Sequence, residues 1–274
     1  MTLRKYKTLL WCCVVFSVAA AGLRAVMIKA FVDTDAGSYT DYSRIKLADN
    51  VMTSLFPYMV VTAVVAFLLF SLLTRRNVTG DLSFFGTPTV FFSSLTGFMM
   101  VTTAAMQIYY RARVPGAELS GVLIVAALML ACSVYFLYLT SKKLDVRGRT
   151  CSVLSLAPVA FLFVRLLNYF FEINSRPNSA TSLFHLFSLA ALMLFFVCEG
   201  KFSVGTGNGG GYVFFGLSSV LLTFVYALPE LVLSAFWLVS WQTDTMFSVL
   251  ELLMCMYVIA RLAALPIQGS DSND

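Results

Sequence analysis

Eight apolar runs, each close to the length that crosses a bilayer, constrain this chain more than any other feature. They occupy residues 9–31, 51–73, 86–110, 119–140, 151–171, 181–198, 213–239 and 246–264. A membrane-spanning helix needs about 20 mostly apolar residues. Only 12% of the 274 residues are charged, against roughly 25% in an ordinary soluble domain. A water-soluble fold of this length would need a polar surface that the sequence does not supply. The runs therefore predict an all-α, polytopic bundle of about eight transmembrane helices in contact with the lipid bilayer. The connections are short, so 1–274 reads as one domain, and no internal repeat stands out.

The first run carries a second reading. "LRKYKTLLWCCVVFSVAAAG" combines a basic start, an apolar stretch and a small-residue Ala19-Ala20-Ala21 site, as a signal peptide does. The apolar run then resumes in "LRAVMIKAF" and completes a spanning length. Cleavage would leave seven helices.

Net charge is +5, but the basic residues sit in short loops, where they set orientation and do not mark a nucleic-acid surface. One side collects Arg4, Lys5, Lys7, Arg75, Arg76, Lys142, Lys143, Arg147, Arg149, Lys201 and Arg261, eleven in all. The other has Arg44, Lys46, Arg111, Arg113 and Arg176, five in all. The richer side is expected to be cytoplasmic, with both termini inside and the acidic loop "VDTDAGSYTDYSRIKLADN" outside. Tyr109, Tyr110, Trp237 and Trp241 would mark the outer aromatic belt. The six cysteines form no C-x-x-C, and with one histidine they read as small packing residues, not as a zinc site. No cofactor is implied.

Few polar residues enter the runs, and they share a depth. At about 1.5 Å per residue, Arg24, Arg165, His185, Glu230 and Glu251 lie roughly 6 to 13 Å from the outer ends of five different helices. They also lie on polar stripes. Arg165, Asn168 and Glu172 follow i, i+3 and i+7. Ser182, His185 and Ser188 form a second stripe, Tyr226, Glu230, Ser234 and Trp237 a third, and Thr96, Thr103 and Gln107 a fourth. A charge facing lipid costs at least about 2.5 kcal/mol near the bilayer centre, so these faces are expected to turn inward. Arg165 then needs a carboxylate, and Glu230 and Glu251 are the available ones.

Two outcomes follow. Arg165 and a glutamate staple helices together, or Arg165, Asn168, His185, Glu230, Glu251 and Arg24 line an outward-facing pocket for a small polar or charged solute. Arg165 would hold an anionic group, a glutamate a cationic group or proton, and His185 would assist. "YALPEL" places Pro229 beside Glu230, a position that can kink a helix at a solute site, and Pro158 in "APVAF" invites the same question. "SVGTGNGGGY", residues 203 to 212, lacks the lysine and hydroxyl residue of a phosphate loop and reads as a flexible connection. "NVT" at Asn77 matches a glycosylation acceptor but falls on the expected cytoplasmic side. A sensor or scaffold acting through a membrane-protein partner is the alternative function. An intramembrane enzyme has no evident nucleophile.

The stretch "RLLNYFFEINSRPNSATSLFHLFSLAALMLFFVCEGKF", with "FVDTDAGSY" after the first run, resembles multi-spanning membrane proteins of Gram-positive bacteria that carry no assigned activity. That resemblance implies a bacterial plasma membrane and no particular chemistry.

Overall fold

The computed structural model describes residues 3–31, 50–74, 86–113, 120–141, 149–173, 180–236 and 243–265. Within them the chain forms nine helices: α1 (Leu3–Phe31), α2 (Val51–Thr74), α3 (Thr87–Ala112), α4 (Ser120–Tyr138), α5 (Arg149–Leu154), α6 (Leu156–Ile173), α7 (Ala180–Ser203), α8 (Gly209–Ala235) and α9 (Thr243–Ala263). Eight helical segments are long and apolar enough to cross a membrane, α5 and α6 together making one of them. The fold is an all-α polytopic bundle. The acidic loop, Trp237, Trp241, Asn77 and the side chain of Glu172 lie outside the described residues.

Helices α8 and α9 form the centre. In their apolar windows 78% and 67% of residues are buried, against 28% in α2. Helix α8 packs against α1, α2, α7 and α9, while α3 joins α4 to α9, and α6 lies against α4 and α7. The outer surfaces of the peripheral helices expose Leu55, Val61, Leu72, Phe98, Ile124 and Phe187. Exposed apolar area on that scale suits lipid and not water. The Tyr6 hydroxyl donates to the Leu262 carbonyl at 3.1 Å, so the start of α1 and the end of α9 share one end of the bundle.

Two differences from the sequence expectation shape the bundle. The run 151–171 is interrupted at Ser155, where α5 ends and α6 begins. Pro158 explains the position: its ring crowds the carbonyl four residues back, that of Leu154, and it lacks the N–H that would bond there. Ser155 bridges the interruption, its N–H bonding the Cys151 carbonyl at 2.9 Å and its hydroxyl the Ser152 carbonyl at 2.7 Å. By contrast α8 continues through Pro229.

The second difference is the glycine-rich segment, which is not a flexible connection throughout. Gly205 takes φ 82°, the left-handed conformation that ends a helix, and its N–H bonds the Phe202 carbonyl at 3.0 Å. Asn208 caps α8 by accepting from the Gly210 N–H at 3.1 Å. Gly209, Gly210 and Gly211 are thus the first turn of α8, which starts four residues before the expected 213.

Candidate functional site

Three elements bring charge to one point. On α6 the inward face is Phe161, Leu162, Arg165 and Tyr169. Helix α7 turns the stripe Ser182, His185 and Ser188 inward, and α9 does so with Ser248 and Glu251; all five side chains are buried. Arg165 Nη2 lies 3.6 Å from Glu251 Oε1. His185 Nε2 lies 3.1 and 3.2 Å from the two Glu251 oxygens. A carboxylate only accepts, so Nε2 carries the hydrogen and, in the neutral ring, Nδ1 holds a lone pair. Nδ1 is buried and makes no hydrogen bond, as does Arg165 Nε.

Aromatic rings wall this network. The His185 ring stacks on Tyr226 of α8 at 3.9 Å between centroids and meets the edge of Tyr169 at 4.2 Å. The Arg165 guanidinium carbon sits 3.5 Å from the centre of the Phe247 ring. Such stacking adds cation–π attraction that strengthens with desolvation.

The sequence-derived set is partly assembled. Glu251 is the carboxylate that meets Arg165, and His185 joins the same carboxylate. Glu230 is held by Ser248, one helical turn before Glu251, whose hydroxyl donates to Oε2 at 2.5 Å. Arg24 is buried and lies over Phe184 at 4.6 Å and Phe56 at 5.7 Å from the ring centres, next in sequence to His185. Asn168 corrects the expectation: it is exposed. Positions i+3 and i+4 flank an inward residue on opposite sides, and on peripheral α6 only the i+4 side, Tyr169, reaches the interior. The stripe on α3 does turn inward, with Thr96, Thr103 and Gln107 all buried.

A second charged cluster, absent from the sequence reading as a site, lies toward the other end. Arg261 Nε donates to Glu199 Oε1 at 2.7 Å, and the Tyr257 hydroxyl donates to the same oxygen at 2.8 Å. Tyr135 and Tyr212 are buried within electrostatic reach of both charges. Glu199 Oε2 has no hydrogen bond. Beside it is a cavity of about 10 Å³ lined by Tyr135, Cys151, Ser155, Ser203 and Arg261, room for one water molecule. Along α9 the two clusters are about 15 Å apart. Between them lie buried Leu189, Leu192, Phe195, Met254 and Val258, crossed by a Ser188–Thr223 hydroxyl bond at 2.8 Å. Two ionic layers separated by an apolar one result.

No protein-family model, curated protein or solved structure matches the chain.

Proposed function

We propose that this integral membrane protein binds, and passes across the bilayer, a small solute bearing an anionic group, with Arg165, His185 and Glu251 as the binding residues. One observation carries the reading. A single buried carboxylate gathers a guanidinium and an imidazole from two other helices, and each of these groups retains a buried nitrogen without a hydrogen bond. A pure staple needs one cation, and a leftover buried donor or acceptor only weakens it. Arg165 keeps 12% side-chain exposure where Glu251 keeps 2%, so the arginine is the approachable member.

Charge balance gives the mechanism. The charges of Arg165 and Glu251 cancel. An anion taking Arg165 leaves Glu251 unbalanced, and a proton taken up with the anion restores neutrality. Net charge at that depth is costly, so anion and proton enter together. The bacterial plasma membrane, with both termini cytoplasmic, is the setting that the resemblance and the loop charges support.

The test pairs stability with ligand response. Purified protein is screened by thermal shift against small carboxylates, phosphate and sulfate at several pH values. At least one anion should stabilise the wild type, more at acid than at alkaline pH. Arg165→Met with Glu251→Gln should fold at close to the wild-type temperature and lose that response. Arg165→Ala alone should unfold earlier, because Glu251 then lacks its guanidinium. An anion response that survives in the double variant would leave the triad a staple and end the solute reading.

A further inference from the structure

We propose that the protein holds one anionic glycerophospholipid in a groove between α1 and α3, at the end of the bundle where α9 finishes. The groove has a volume of about 450 Å³. Helix α1 forms one wall with Trp11, Val14 and Val18, and Phe92 of α3 forms the other. The floor is apolar: Phe224 of α8 and Ile259, Ala260 and Ala263 of α9. A non-helical protein segment laid here would have to bury unsatisfied backbone polar groups against apolar walls, whereas an acyl chain has none.

One end of the groove meets the start of α3. Gly86 precedes α3 without a side-chain cap, and Gly86, Pro88 and Thr89 line the groove there. Pro88 has no N–H, but the first-turn N–H groups of Thr87 and Thr89 lack intrahelical acceptors and favour an anion. Thr89 is fully buried and lines the groove, yet its hydroxyl makes no hydrogen bond. The α1 wall continues in register: Trp11, Val14 and Val18 share a helical face with Arg4 and Lys7, three and four residues apart. Both basic side chains are exposed, roughly 6 to 10 Å along the axis beyond Trp11. An interfacial tryptophan between an apolar groove and two cations fits the boundary between acyl chain and headgroup. The acyl chain lies on α8 and α9, the Thr89 hydroxyl donates to a glycerol ester oxygen, and the phosphate meets the α3 N-terminus, Lys7 and Arg4. A zwitterionic lipid fills the same groove but places its own cation among these positive groups.

The experiment is native mass spectrometry of delipidated protein offered equal phosphatidylglycerol and phosphatidylcholine with identical acyl chains. One phosphatidylglycerol should be retained, preferred about tenfold or more. Arg4→Gln with Lys7→Gln should bring the preference close to parity. Thr89→Val, which keeps the side-chain shape, should lower retention of both lipids several-fold. Ala263→Phe should fill the groove and expel both, with circular dichroism confirming the fold of each variant. Equal retention of the two lipids by the wild type overturns the proposal. So does a preference unchanged by the charge pair, retention unchanged by Thr89→Val, or a dimer that replaces the lipid and is lost in Ala263→Phe. These readouts are independent of the Arg165 site, so either proposal can fail alone.

Discussion

Glu199 bonds Arg261 at 2.7 Å and the Tyr257 hydroxyl at 2.8 Å through one oxygen and leaves the other without a partner. The pair ties α7 to α9 where both are tightly packed. Glu199→Ala takes from the Arg261 guanidinium the carboxylate that it meets at 2.7 Å. One-sided removal of a buried pair costs about 3–5 kcal/mol in soluble cores, but Arg261 in the last turn of α9 can extend toward the headgroups, which lowers the expectation to about 2 kcal/mol. Glu199→Gln with Arg261→Met should recover to within about 1 kcal/mol, since matched removal leaves no stranded charge. Thermal unfolding in detergent checks both. A wild-type melting temperature for Glu199→Ala would show that the pair does not hold the helices. This cluster escaped the sequence reading for a physical reason. Charges at the end of an apolar run ordinarily reach toward the interface, and both residues stand at such ends, Glu199 just past 198 and Arg261 in the last turn of 246–264. Arg165 and Glu251 were legible because neither is near enough to a helix end to escape. Which glutamate met Arg165 was not legible, because helix rotation is set by neighbours and not by the stripe alone.

At the scale of elements, the break between α5 and α6 is held by a close contact with α7. A methyl group added to Gly200 would sit 2.6 Å from Ser155 Oγ, closer than real contacts allow. Gly200 therefore admits the serine that bridges the interruption. Gly200→Ala should destabilise by about 1–3 kcal/mol, the range for overpacking a well-filled site. Ser155→Ala removes the clashing oxygen, so the double variant should regain most of that loss. A strictly additive double variant, measured by chemical or thermal unfolding, would show that the contact is not the cause. The run lengths predicted the spans well because the bilayer fixes how much apolar helix is needed. They could not show the interruption at Ser155, since a proline is tolerated in a spanning helix when neighbours satisfy the backbone, as at Pro229 within continuous α8. The glycine run misled in the opposite direction. Its composition suggests flexibility, but Gly209 and Gly210 are buried at the start of α8, where the Asn208 cap orders them.

For the whole molecule, loop charge gives the expected orientation once the buried charges are set aside. Arg261 belongs to the Glu199 pair and not to a loop, so the richer face keeps ten basic residues against five. The two-to-one bias is retained, and on the charge rule the end of the bundle holding Ser141 and Thr206 is expected to face the cytoplasm. Both residues are exposed, as is Ser120 at the opposite end. In cells, a membrane-impermeant maleimide should label Ser120→Cys and should reach Ser141→Cys and Thr206→Cys only after permeabilisation. The native cysteines serve as the unlabelled control, because Cys132, Cys151 and Cys255 are buried and Cys12 lies within a spanning segment. Two kinds of failure separate cleanly. A fully reversed pattern contradicts the charge rule alone, and it moves the Arg165 triad to the cytoplasmic half and the lipid groove to the outer leaflet. A mixed pattern, with Ser141→Cys and Thr206→Cys on different sides, contradicts the bundle itself, since α4 and α7 would then end at opposite faces. The Tyr6–Leu262 hydrogen bond sharpens that second case, because it requires an even number of crossings between the start of α1 and the end of α9.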